Sequence, residues 1–244
     1  MKIFILCTAR SRKIERTSSL TLETIHVGFP DTHVHVDFQG DWARSERIEV
    51  GGVHSSTVFQ KPKIHGDWIK GLVYSEENPF VIADPDLVFF SRFPIEKYIG
   101  NAWAGDLTPS FNCPVAKART AWRFHTSLLF IDPIRLRLEI RDWKAKVEAN
   151  QFVPGVDLFR PALIPTEDGN RFYDTCSFLS HAIGAKHFDD ETLECYRHLH
   201  AGTWSDIVEK SMPGFQDMHR KLLSDRQFLK ESRTMQNEFY RKHA

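Results

Sequence analysis

Three observations predict an α/β fold around a mixed, mostly parallel central sheet. Short apolar runs of strand length alternate with segments of helical period, as in a sheet covered by helices. The first run, residues 2–8, is continuously apolar from Ile3 to Leu6, as in a parallel strand buried on both faces. The run from Pro79 to Phe90 is apolar, breaks at Asp84-Pro85-Asp86 and becomes apolar again, which reads as a second buried strand ending in carboxylates.

The remaining elements follow in order. After the first strand comes a small, basic loop, Thr8-Ala9-Arg10-Ser11-Arg12. Leu22, Ile25 and Phe29 lie near helical spacing and predict a helix over 18–27, ended by Pro30-Asp31. Residues 32–38 alternate, with Val34, Val36 and Phe38 on one face of a strand. Residues 40–64 are rich in Gly, Ser and charge with little periodicity, and read as a long loop, a candidate lid. A helix is expected over 65–75, carrying Trp68, Leu72 and Val73, then strands over 80–83, 99–104 and 125–131.

Asp132-Pro133 looks like an N-cap followed by Pro at the first helical position. The next stretch carries two patterns. Ile134, Leu136, Leu138 and Ile140 alternate, whereas Leu136, Ile140, Trp143 and Val147 form a helical stripe; the Asp-Pro start favours the helix. A helix over 173–183 should stop at Gly184. Met218, Leu222, Leu229 and Phe239, spaced through a polar tail, predict an amphipathic C-terminal helix.

The 244 residues suffice for a full core in one large domain or two small ones. Net charge is zero with histidine neutral, so whole-molecule electrostatics favour no polyanionic partner. Two stretches are locally basic: residues 1–16, and residues 117–146 with eight Lys or Arg against Asp132, Glu139 and Asp142. Either is a candidate phosphate face or a solvated surface. Cys7, Cys113, Cys176 and Cys195 are scattered without a CxxC pair, which argues against a zinc site or disulfide framework and fits a reducing compartment. Neither a convincing signal peptide nor a membrane span is visible, so a soluble, cytoplasmic protein is expected.

The chemistry is concentrated at Asp84 and Asp86. Carboxylates are seldom buried unless paired or bound to a metal, and a hard divalent cation suits oxygen ligands while leaving positions for water and phosphate. In open α/β sheets ligands sit beyond the carboxyl ends of strands, where both the Thr8–Arg12 loop and the Asp pair would lie.

In order and spacing, these features resemble the GT-A family of nucleotide-sugar glycosyltransferases. The resemblance rests on the first strand and its polar loop, and on Pro79-Phe80-Val81-Ile82-Ala83-Asp84-Pro85-Asp86 as a DxD strand. It rests also on His125-Thr126-Ser127-Leu128-Leu129-Phe130-Ile131-Asp132 as a later strand, and on His198-Leu199-His200-Ala201-Gly202-Thr203 as a C-terminal metal-histidine region. It implies a single GT-A-like domain over 1–205, with a nucleotide-binding half to about 106 and an acceptor half beyond it, followed by a helical extension over 206–244. The implied activity is that of a metal-dependent hexosyl- or pentosyltransferase. The implied donor is a nucleotide diphosphate sugar, a UDP-sugar first, and the cofactor Mn²⁺ or Mg²⁺. The implied metal ligands are Asp84, Asp86 and His200, with His198 as the alternative to His200; imidazole would favour Mn²⁺. Asp84 would also reach the nucleotide, together with Thr8, Arg10, Arg12, His65, Asp106 and His125; Trp103 is a further candidate lining residue. Asp174 is the candidate general base, ahead of Glu167 and Asp168.

Plainer readings stand beside these. Asp-Pro-Asp makes a good turn, Asp174 can be a helix N-cap, Trp68 can be core, and His200 can be an ordinary satisfied histidine. Two other functions fit the residues: a nucleotidyltransferase, although the first loop lacks the expected glycines, and a non-enzymatic sugar- or nucleic-acid-binding module. A modified base in DNA is a possible acceptor, since residues 117–146 are basic. No obligate protein partner is evident.

Overall fold

The computed structural model describes residues 1–8, 21–30, 32–39, 55–60, 65–108, 112–113, 118–120, 123–148, 157–167 and 169–198. The Arg10 and Arg12 loop, His200, Asp168 and the C-terminal segment expected to be helical lie outside the described residues.

Among the described residues the central sheet has seven strands. Strand β1 (Lys2–Thr8) pairs in parallel with β2 (His33–Gln39) and with β4 (Phe80–Ala83), and β2 pairs in parallel with β3 (Ser55–Gln60). Strand β9 (Arg123–Ile131) runs antiparallel to β4 on one side and to β6 (Trp103–Thr108) on the other, so β6 points the same way as β1 and β4. The short β12 (Lys186–His187) closes the far edge parallel to β6. The sheet is therefore mixed and mostly parallel, as the alternation of elements predicts.

Both faces are covered. On one lie helix α1 (21–28) and the two-stranded ribbon of β5 (Leu87–Phe89) and β13 (Tyr196–His198). Leu22, Ile25 and Phe29 meet Leu87, Phe89, Tyr196 and the Ile3, Ile5, Val34, Val36 side of the sheet. On the other lie α2 (His65–Ser75), α3 (Pro133–Glu148) and α4 (Ser177–Ile183), whose Trp68, Ile69, Val73, Leu136, Ile140, Phe178 and Leu179 pack on Phe4, Leu6, Phe80 and Ile82. Side chains of one strand go alternately to these two cores, which is why β1 is apolar from Ile3 to Leu6 and β4 throughout.

Several boundaries correct the sequence reading. The region read as a long loop over 40–64 contains β3, an edge strand whose Ser55-Ser56-Thr57 start carries no apolar signal. The strand expected over 99–104 is displaced to 103–108, and Ile99 is exposed in the preceding turn. The helix expected from Tyr173 begins only at Ser177. Tyr173 instead ends β11 (Gly169–Tyr173), the second strand of a hairpin with β10 (Ala162–Thr166). That hairpin joins β7 (Asn112–Cys113) and β8 (Ala118–Thr120) in a separate four-stranded sheet. The ambiguous stretch after Asp132 is a helix: Asp132 Oδ1 accepts the Arg135 N–H at 3.1 Å as an N-cap, Leu136 and Ile140 are buried, and Ile134 and Leu138 face solvent. Gly184 stops α4 at a positive φ of 72°, as expected of a C-cap glycine.

Candidate metal centre

Strands β4 and β6 end, and β9 begins, at one edge of the sheet. Asp84 follows the last residue of β4, its N–H donating to Ser127 O of β9 at 2.7 Å, so the carboxylate stands where the strand leaves the sheet. Pro85 turns the chain and Asp86 leads directly into β5. There the Leu87 N–H donates to Thr21 Oγ1 at 3.0 Å and the Phe89 N–H to Thr24 Oγ1 at 3.2 Å, so α1 satisfies the edge of the ribbon that β13 leaves open. Pairing of β13 with β5 sets His198 opposite Leu87 and beside Asp86.

Asp84, Asp86 and His198 each offer a ligand atom, and these atoms all lie within 4.8 Å of one another. His198 Nε2 is 3.0 Å from Asp86 Oδ1, both groups being largely buried. Burial alone would lower the His198 pKa, but the carboxylates of Asp86 and Asp84 outweigh it and hold the imidazole above its ordinary value. The imidazole and carboxylate are thus bound to each other through a proton, in the place where a divalent cation would sit between them. Two carboxylates and an imidazole form a donor set that fits a divalent cation.

Two more histidines border the triad. His65, the first residue of α2, places Nε2 3.8 Å from Asp84 Oδ1. His125 packs edge-on against His198 with ring centroids 4.6 Å apart, and its Nδ1 accepts the Ser127 N–H at 3.2 Å, so the neutral ring carries its proton on Nε2. His125 reaches this position because the β6–β9 register slips between Gly105 and Asp106: Gly105 faces Leu129, whereas Asp106 faces His125. Such a bulge re-aims side chains and cannot be read from periodicity.

The structure therefore brings together Asp84, Asp86, His65 and His125, with Asp106 as His125's cross-strand neighbour. Thr8 is the last residue of β1 at the same edge. The third group of the described cluster is His198. Trp103 does not line this edge: it is 1% exposed and donates to Gly184 O at 2.5 Å, a core residue. Trp68 is also core, and its indole N–H donates to the buried Asp37 carboxylate of β2, a partnership the sequence reading missed.

Asp174 lies elsewhere in the order of elements, in the turn between β11 and α4. It is not the N-cap of α4; Cys176 occupies that position in a left-handed conformation at φ 57°. Asp174 Oδ1 accepts the Thr175 N–H at 2.7 Å and its carbonyl accepts the Ser177 N–H at 2.8 Å. Glu167 is exposed at the tip of the β10–β11 hairpin. Part of the basic stretch over 117–146 has local partners. Arg137 donates to Val73 O and Glu76 O, capping α2, while Arg141 binds Asp142 and Arg135 lies 3.4 Å from Asp132. No helix among the described residues is long and apolar enough to cross a membrane.

Neither a protein-family model nor a curated protein matches the sequence. Among solved structures, two crystal structures of the glycosyltransferase GlyE of Streptococcus pneumoniae TIGR4 are similar, one of them the apo form. Both are 11% identical and aligned over 78% of this chain, with TM-scores of 0.42 and 0.41. The chain spans 45% and 46% of their lengths, less than half of each.

Proposed function

We propose that this chain is a metal-dependent glycosyltransferase that moves a sugar from a nucleotide diphosphate sugar, a UDP-sugar first, to an acceptor hydroxyl. The observation that carries the reading is the convergence of Asp84, Asp86 and His198 at the carboxyl edge of a mostly parallel sheet, where ligands of α/β proteins bind. A divalent cation, Mn²⁺ ahead of Mg²⁺, would be held by these three residues and would neutralise charge on the departing diphosphate.

The protein's own groups have separable tasks in this reading. Asp84 faces both the cation position and His65, and serves as the contact to the ribose. His125, carrying its proton on Nε2, donates a hydrogen bond to a phosphate oxygen, with Asp106 beside it. Thr8, Arg10 and Arg12 attend the nucleotide. Asp174 is the proposed base for an inverting transfer: the acceptor O–H gives its proton to the carboxylate, the acceptor oxygen bonds to the anomeric carbon, and the bond from that carbon to phosphate oxygen breaks, its electron pair leaving with the diphosphate.

The test is a thermal-shift series with nucleoside diphosphates and nucleotide sugars, each with and without Mn²⁺. A ligand at about 100 times its dissociation constant adds about 2.7 kcal/mol, and the expected shift requires metal and nucleotide together. A shift that ignores the metal, or none with any nucleotide, sinks the assignment. Asp174→Asn should then bind metal and donor as the native protein does while losing about 10²- to 10⁴-fold in transfer to the acceptor, the usual worth of a general base.

A further inference from the structure

We infer that segment 157–160 is a clasp that positions His65 against Asp84 and ties that contact to the Asp174 turn, with Gly66 and Phe159 as its closing point; its effect on the metal rests on the reading above.

The closing point admits no side chain. A Cβ on Gly66 would lie 2.1 Å from Phe159 O and 2.7 Å from Phe159 C, so the peptide after Phe159 lies directly on the first turn of α2. The same carbonyl accepts the Cys176 N–H at 3.1 Å, and Leu158 O accepts the Leu179 N–H at 3.2 Å. One carbonyl therefore touches the start of α2 and the start of α4 at once. Leu158 and Phe159 are buried in the core between these helices.

The ends of the segment are secured by charge. Arg160 binds Asp67 through two parallel bonds, Nε to Oδ1 at 2.6 Å and a terminal nitrogen to Oδ2 at 2.8 Å. Lys70 donates to Asp157 Oδ2 at 2.7 Å, and Asp157 Oδ1 accepts the Phe159 N–H at 2.9 Å. Burial would raise the Asp157 pKa, but these donors hold it below its ordinary value, so the pair is charged at neutral pH.

The contacts to α2 fall near its start, at positions 66, 67 and 70. The residue left at the tip is His65, whose ring meets Asp84. The other partner, α4, follows directly from Asp174, whose carbonyl accepts the first helical N–H. The N–H groups of the left-handed Cys176 and of Leu179 reach the clasp. A shift of the segment therefore reaches both the metal side and the Asp174 side through backbone contacts, and His65, Gly66, Phe159 and Arg160 are positioning residues.

The test uses the full chain and two variants. Arg160→Ala releases one end while leaving the core untouched; Gly66→Ala forces the closing point apart. Three readouts are taken: amide exchange at Cys176 and Leu179, the ring resonances of His65, and Mn²⁺ affinity by electron paramagnetic resonance. In Arg160→Ala both amides should exchange about 10-fold faster, as for local opening, and the His65 resonances should move. Mn²⁺ binding should weaken by about 10-fold, the lower end for loss of support around a ligand. Tyr98→Phe removes a hydrogen bond to Thr192 Oγ1 of 2.7 Å in another part of the core and should change none of the three. Unmoved His65 resonances in Arg160→Ala overturn the proposal and leave the segment a local brace. Absence of Mn²⁺ uptake by the native protein overturns the metal reading instead, and the His65 resonances still decide the clasp. Should Gly66→Ala not fold, Arg160→Ala decides alone.

Discussion

The molecule holds two acidic pairs of the same spacing, and their fates differ. Asp84 and Asp86 follow a buried strand; Asp189 and Glu191 open helix α5 (Asp190–Leu193). The second pair is met by Lys97, whose Nζ lies 2.9 Å from Asp189 and 2.6 Å from Glu191 at the protein surface. Its cation is part of the chain, and its carboxylates stand in water. The first pair is met by His198 and His65, cations only when protonated, and Asp86 is 6% exposed. Spacing alone thus says little about metal binding. What separates the two pairs is burial and the kind of cation the fold supplies.

The sharpest way to break this comparison is Asp86→Asn. The substitution keeps the shape and a hydrogen bond to His198 but removes the charged ligand. Losing a support of a metal ligand costs 10- to 100-fold in affinity, so losing a ligand itself should weaken Mn²⁺ binding by at least about 100-fold. Titration calorimetry of Asp86→Asn beside Asp189→Asn is decisive, since the second variant should bind Mn²⁺ as the native protein does. Equal losses in both would mean that the surface pair contributes to the ion after all.

A second contrast lies in what holds each pair in place. Asp86 is fixed by β5, whose Leu87 N–H is satisfied by the fully buried Thr21 hydroxyl. Thr21→Val preserves shape and leaves that N–H without its acceptor, at a cost of about 1–3 kcal/mol. Urea denaturation should show the loss, with weakened Mn²⁺ binding in the remaining folded protein. A variant as stable as the native one would show that the ribbon does not depend on α1.

The legible parts of this fold were those in which one strand or helix declares itself. Residues 3–6 and 80–83 are apolar at every position because the sheet is covered on both faces, and residues 65–75 carry a helical stripe; the expected bounds 2–8, 80–83 and 65–75 all match the structure. The carboxylate pair was legible because Asp84 and Asp86 interrupt such a run. The arrangement around them was not, because it depends on pairings between distant segments. Nothing near Arg197 announces that β13 will pair with β5 and bring His198 to Asp86, and nothing near Thr126 announces the bulge that turns His125 toward it. Edge strand β3 escaped because its first residues are polar. The place of Asp174 was hard to read for a different reason: a turn that ends a hairpin and precedes a helix looks the same in sequence as an N-cap.

Removing the built-in cation sharpens the comparison from the other side. Lys97→Met leaves Asp189 and Glu191 without their shared partner, yet exposed to solvent. Water solvates them, so the variant should lose little stability and gain no Mn²⁺ site, because an exposed ion pair contributes little and exposed carboxylates do not pre-form a ligand set. A new Mn²⁺ stoichiometry in calorimetry would show that spacing, rather than burial, makes the site.

The smallest expected effect belongs to acid. Hydrogen bonds from Thr192, and then the Lys97 ammonium, lower the Asp189 pKa from 3.8 to about 2 in the folded protein. A carboxyl that ionises more readily folded than unfolded contributes stability above its unfolded value and loses it as pH falls toward the folded one. Between pH 3.8 and about 2 the unfolded chain therefore takes up the extra proton, and stability falls with pH across that window. Asn at the position keeps an acceptor for the Thr192 N–H but has no charge to lose. In chelator-treated protein, thermal melts of Asp189→Asn should be flatter with pH in that window than those of the native chain, with the difference vanishing as pH falls below it. Parallel slopes would mean that Thr192 and Lys97 hold the carboxylate no more tightly folded than unfolded. The surface pair would then be an ordinary solvated one, and the contrast with Asp86 would be larger still.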